Sequence, residues 1–238
     1  MDEWIDEGPA GAERRDSTRS AKAPSRRRRR SPSRIDTAEL GELVGSKRAA
    51  TLAPRLAAAA DAFADERYPE ARQILQPLAK EVPGSPTVRE LLGLTFYRLG
   101  RWQQAARELE AFRDLTGEST EQHPVLADCY RAQRRYDRVD ELWSELREAS
   151  PSGELVTEGR IVAAGSLADR GRLDEAIELL ERGWRLPKTP RDHHLRRAYA
   201  LADLYERAGD LPRARETFGW VLRHDRSFAD AAERAAGL

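Results

Sequence analysis

The sequence predicts an all-α chain of about five stacked helical hairpins, and three observations predict it. A short phrase recurs at a near-constant spacing. Apolar residues keep a helical period from about residue 52 onward. The composition is too polar for a compact globule, with 39% hydrophobic and 34% charged residues, yet suits a stack whose helices stay half wetted.

The recurring phrase reads Arg67-Tyr-Pro-Glu-Ala71, Arg101-Trp-Gln-Gln-Ala105 and Arg135-Tyr-Asp-Arg-Val139, with the last residues 34 apart. Two further copies, Arg172-Leu-Asp-Glu-Ala176 and Asp210-Leu-Pro-Arg-Ala214, follow at steps of 37 and 38. A period in this range marks a repeat array. Other positions keep the same register. The first copy has Ala58-Ala59, Ala62, Glu66, Ala71, Leu75, Leu78 and Pro83, and the second Leu92-Gly93, Phe96, Gly100, Ala105, Leu109 and Phe112. The third has Leu126-Ala127, Tyr130, Arg134, Val139, Trp143, Leu146 and Pro151. The fourth has Ala163-Ala164, Leu167, Gly171, Ala176 and Leu180, and the fifth Leu201-Ala202, Tyr205, Gly209, Ala214, Phe218 and Val221. Small residues at the eighth and twentieth positions let two helices cross closely. A glycine near the fifteenth serves the turn between them, where a left-handed backbone costs it little, and a proline at the thirty-second ends the second helix.

These residues resemble the tetratricopeptide repeat, over about residues 52–226 in five units: 52–85, 86–119, 120–156, 157–194 and 195–226. The resemblance implies a right-handed α-solenoid in which the first helix of each unit lines a concave groove. The chain departs from the family at the fourth position, usually Trp, which is here Arg55, Arg89, His123, Arg160 and Ala198. An open end would expose apolar surface. Residues 36–51 therefore read as a short N-terminal helical cap, and residues 227–238 as a C-terminal capping helix with Phe228, Ala231 and Ala232 inward.

Residues 1–35 read as a disordered arginine-rich tail. Between Arg14 and Arg34 stand ten basic residues and one acid, and the run Arg26, Arg27, Arg28, Arg29 and Arg30 is its centre. Too little apolar surface is available there to offset ordering entropy. Two readings stand: a solvated tail in contact with the acids around Trp4, or an arm for nucleic acid or an acidic partner. Only four of the 41 basic residues are lysines, a bias of GC-rich, actinobacterial-type genomes.

Net charge is zero, which excludes a global bias toward nucleic acid or membrane. No apolar run approaches the ~18 residues that span a bilayer, and the acidic N-terminus is unlike a secretory signal, so a cytoplasmic protein is expected. The lone Cys129 builds neither a disulfide framework nor a cysteine metal site and reads as a buried small hydrophobe. His123, His193, His194 and His224 lack metal-site spacing. No phosphate-binding glycine loop or nucleophile elbow occurs. A non-enzyme without cofactor or metal is expected.

The resemblance places Leu56, Phe63, Leu94 and Tyr97 on an apolar front of the groove. Ile161 is a further groove position, and Glu158, Asp169, Arg196 and Glu206 make the rear charged. Tyr97, Arg98, Asp128, Arg131, Tyr199, Asp203 and Arg207 are the candidate peptide-binding residues, since Tyr and Arg dominate hot spots. A carboxylate clamp is absent, because Leu56, Ala60, Glu90, Leu94, Pro124 and Asp128 hold its positions. Two functions stay open: a scaffold holding a peptide or helix of a protein partner, or a nucleic-acid- or ribosome-associated protein using Arg26–Arg30. Under the first, Tyr97→Ala with Arg131→Ala weakens partner capture without unfolding.

Overall fold

A computed structural model describes residues 38–238, and the described residues form twelve α-helices and no strand. They divide into two compact units, with the boundary between Ser119 and Thr120.

The first unit holds α1 (Ala38–Val44), α2 (Ser46–Ala64), α3 (Tyr68–Glu81), α4 (Pro86–Arg98) and α5 (Trp102–Leu115). Helices α2–α3 and α4–α5 are hairpins, and α3 packs on α4. The second unit holds α6 (His123–Ala132), α7 (Tyr136–Ala149), α8 (Gly153–Asp169), α9 (Leu173–Glu181), α10 (Asp192–Arg207), α11 (Leu211–His224) and α12 (Ala231–Gly237). Its hairpins are α6–α7, α8–α9 and α10–α11.

The second helix of every hairpin buries a stripe at helical spacing. Ala71, Leu75 and Leu78 do this in α3, Ala105, Leu109 and Phe112 in α5, and Ala214, Phe218 and Val221 in α11. In α7 the stripe is Val139, Leu142 and Leu146, and the expected Trp143 is only half buried. The three-residue step keeps the narrower Leu142 in the core. Trp143 moves to the edge, where Arg160 lies 5.9 Å from its ring. The eighth position is small because space is absent: a Cβ on Gly93 would lie 2.7 Å from Leu109 Cγ.

All five turns between hairpin helices carry a positive φ at the fifteenth position: Glu66 (61°), Gly100 (67°), Arg134 (59°), Gly171 (77°) and Gly209 (79°). An L side chain there costs about 1–2 kcal/mol against glycine's freedom. The exposed Arg134→Gly variant should therefore raise stability by about 1 kcal/mol. Its urea midpoint checks this, and a lower midpoint would overturn the argument.

Both ends are covered. Leu40 of α1 is buried, α1 packs on α2, and Glu39 accepts hydrogen bonds from the Ser85 and Thr87 hydroxyls at the start of α4. Ser85 Oγ also accepts from Val88 N, capping α4. At the other end a turn runs to Asp230, so α12 starts later than the expected residue 227. Ala231 is buried and Phe228, Ala235 and Leu238 pack partly, whereas the expected Ala232 faces outward.

Candidate functional site

The fourth position, where the family usually has Trp, is polar in four hairpins and reaches across to the second helix. Arg55 Nη1 donates to Glu81 Oε1 at 2.8 Å, Arg89 to Glu108, and His123 Nε2 lies 2.9 Å from Glu145 Oε2. Arg160 Nη1 donates to the Arg182 carbonyl at 2.8 Å. Glu108 is buried and also takes Arg107. Four of the five hairpins thus have a charged or polar link between their two helices in place of an indole contact, and the fifth has the buried Ala198 there.

In the first unit α4 carries Glu90, Leu94, Tyr97 and Arg98, all half buried. Tyr97 meets Trp102 edge to face with ring centroids 5.3 Å apart, and Arg98 lies 5.9 Å from the Tyr68 ring. Phe63 meets Tyr68 in the same way at 5.4 Å. Leu56, expected on the apolar front, is fully buried in the core instead. It stands four residues from Leu52 and three from Ala59, both buried, so it belongs to the core stripe of α2.

In the second unit the candidate residues lie in a network of ion pairs along the first helices. Arg131 Nε donates to Asp169 Oδ2 at 2.7 Å, and its Nη1 lies 3.5 Å from Asp128 Oδ1. Its side chain is only 5% exposed. The room comes from α8: a Cβ on Gly165 would lie 2.5 Å from Arg131 Nη1. Replacing Arg131 therefore perturbs the packing, and the expected neutrality of Arg131→Ala for folding is corrected by this burial. Glu158 pairs with Arg196 Nε at 3.1 Å, both mostly buried. Burial pushes the Glu158 carboxyl up to about 7, which the Arg196 charge opposes and Glu154 reinforces.

On α10, Tyr199, Asp203 and Glu206 converge on one guanidinium, that of Arg234 from α12. Arg234 Nη2 donates to Asp203 Oδ1 at 2.7 Å and to Glu206 Oε2 at 2.6 Å, and Nη1 to Tyr199 Oη at 3.3 Å. Its Cζ lies 4.8 Å from the Phe218 ring and 5.6 Å from Tyr199. Burial opposes this cation, yet the hydrogen bonds and carboxylates keep its pKa above the ordinary arginine value. Tyr199 is pushed up to about 12, first by burial and then by its hydrogen bond to Asp230. Arg207 lies 3.7 Å from Asp203 Oδ2 and is more exposed than Arg131. Sequence reasoning found Tyr199 and Asp203 but not Arg234, which falls outside the repeat register. The only signal was a charged residue three places after the inward Ala231.

Burial raises the Cys129 thiol well above its ordinary value, with Asp128 adding to it, so the thiolate is disfavoured. Among the described residues no group of three His, Cys, Asp or Glu is placed to hold a metal, and no helix is long and apolar enough to cross a membrane. Arg26, Arg27, Arg28, Arg29 and Arg30 lie outside the described residues.

Stacked helical hairpins with small crossing residues and an ion-paired first-helix face define a repeat scaffold. The tetratricopeptide repeat family model matches residues 56–120 and 92–138. Within residues 56–138 the chain carries tetratricopeptide repeats. A thermophilic TPR protein of Thermus thermophilus is similar at 22% identity over 78% of this chain and 97% of that one, with TM-score 0.60. The C-terminal part of a TPR repeat-containing protein from Cytophaga hutchinsonii is similar at 15% identity, over 76% of this chain and 69% of that one, with TM-score 0.55. MamA of strain MSR-1 is similar at 22% identity over 75% of this chain and 99% of its own, with TM-score 0.51. No curated protein matches the chain. Proteins of this family typically serve as non-catalytic scaffolds for protein interactions.

Proposed function

We propose that this chain is a non-catalytic cytoplasmic scaffold that holds a peptide or helix of a protein partner against the first helices of its hairpins. The observation that carries the reading is the seat of Arg234. A side chain from another helix already lies on the fifth hairpin's candidate residues, bonded to Tyr199, Asp203 and Glu206. This is how a helix would dock there, with one anchoring side chain in a charged and aromatic cup. Tyr97 and Arg98 offer a second anchor region within the first unit, beside Trp102 and Tyr68.

The test uses the full chain with a photo-crosslinking residue at Leu94, on the candidate face, or at the exposed Arg107 on α5. A protein trapped from Leu94 and not from Arg107, at high salt, supports the reading. Equal trapping from both positions, or only salt-sensitive nucleic acid, overturns it. Tyr97→Ala should weaken the trapped partner's affinity about tenfold, the scale of an aromatic hot spot, in a variant whose circular dichroism shows it still folded.

A further inference from the structure

We propose that the junction of α8, α9 and α10 is a binding site for an oxyanion, a phosphate or carboxylate group. It is separate from the cup around Arg234. Two arginines from neighbouring hairpins converge at the end of α9. Arg197 of α10 donates through Nε and Nη2 to the Leu180 carbonyl, at 2.9 and 2.6 Å, and through Nη2 to the Arg182 carbonyl at 2.8 Å. Arg160 of α8 donates through Nη1 to that same Arg182 oxygen at 2.8 Å. Sharing one oxygen holds the two guanidinium nitrogens within twice that distance.

Like charges this close are ordinarily bridged by a carboxylate. Among the described residues none is bonded to either arginine. Their partners are neutral carbonyls, and a helix C-terminus contributes only about half a negative charge against two cations. Burial first, and a neighbouring cation second, disfavours the charge on both arginines. Arg197 is lowered to about 10 by burial and by Arg160, and Arg160 is lowered by burial and by Arg182. Arg160 Nε is buried with no hydrogen-bond partner. Arg160 Nη2 and Arg197 Nη1 also carry N–H groups that no described residue accepts. Trp184 lies 5.0 Å from Arg197 and Trp143 lies 5.9 Å from Arg160, so both planar groups are held by aromatic rings.

The connection that follows α9 keeps the sign. From Arg182 to Arg191 it carries Arg182, Arg185, Lys188 and Arg191 and no acid. Arg182 has an exposed partner in Glu178 at 3.1 Å, a pair weak enough to yield to a bound anion. An oxyanion at Arg160 and Arg197 would accept from the unused N–H groups and neutralise the excess, as paired guanidiniums do for phosphate and carboxylate.

The test follows the Nε–H resonances of Arg160 and Arg197 in the full chain by NMR at fixed ionic strength. Inorganic phosphate replaces chloride in one arm. A phosphoserine peptide, with its serine form as control, is titrated in the other. Saturable shifts of both resonances with phosphate assign the site to a free anion. Saturation by the phosphopeptide and not by phosphate assigns it to a partner's side chain. Arg160→Gln should weaken either binding about tenfold. Arg182→Gln, at an exposed position, should weaken it severalfold and serves if Arg160→Gln does not fold. Shifts that fail to saturate with both probes, or persist unchanged in the folded variants, overturn the proposal.

Discussion

Replacing Arg131 with alanine is expected to destabilise residues 120–238 by about 3–5 kcal/mol, the cost of stranding one member of a buried ion pair. Arg131 is 5% and Asp169 11% exposed, and 2.7 Å separates their closest atoms. Removing the guanidinium leaves the Asp169 carboxylate short of its partner in a place water reaches poorly. It also leaves a void over the bare backbone at Gly165. Adding Asp169→Asn to Arg131→Ala should recover about 1–2 kcal/mol, because it removes the stranded charge and not the void. Gly165→Ala should act in the same direction from the other side, since its Cβ would collide with the Arg131 guanidinium. Urea midpoints of the three variants decide this. An Arg131→Ala protein as stable as the parent would show that Arg131 faces solvent.

The same residue shows where sequence reading reaches its limit. The repeat register places Arg131 on the first helix of the third hairpin, and it is there. Its burial depends on Gly165 and Asp169, 34 and 38 residues further on in the next hairpin, and no local pattern announces that pocket. The helix-to-helix turns were legible because their cause is local. A left-handed residue is required at each fifteenth position, and glycine fills three of the five. The small residues at the eighth position were legible for a similar reason, since close helix crossing excludes a side chain. The polar residues at the fourth position were visible as a departure from the family. That Arg55, Arg89 and His123 each find a glutamate on the partner helix was not visible, because the separations vary between 26, 19 and 22 residues. Arg234 was missed because α12 has no repeat register, and only the fold brings it to Tyr199, Asp203 and Glu206.

Glu158 carries the second large expectation, a loss of stability as pH rises. Its carboxyl sits between α8 and α10, mostly buried, facing Arg196 with Glu154 near it on its own helix. Burial outweighs the Arg196 attraction, so the folded-state pKa is raised from 4.5 to about 7. A raised acid holds its proton more tightly folded than unfolded, so the folded state binds more protons between those two values. Stability therefore falls as pH rises through that window and is flat above it. A shift of this size corresponds to about 3 kcal/mol. His193 and His194, on α10 and both lowered first by burial, act in the opposite sense, so the total profile mixes their contributions with that of Glu158. The difference between Glu158→Gln and the parent isolates the glutamate, because glutamine keeps the shape and cannot titrate. That difference should be small at pH 5 and should grow to about 3 kcal/mol in favour of glutamine at pH 8. A difference independent of pH would show that Glu158 is ionised throughout. A glutamine variant less stable than the parent at pH 8 would show that the bond to Arg196 outweighs the cost of burying the charge, and that α8 and α10 are joined by that ion pair.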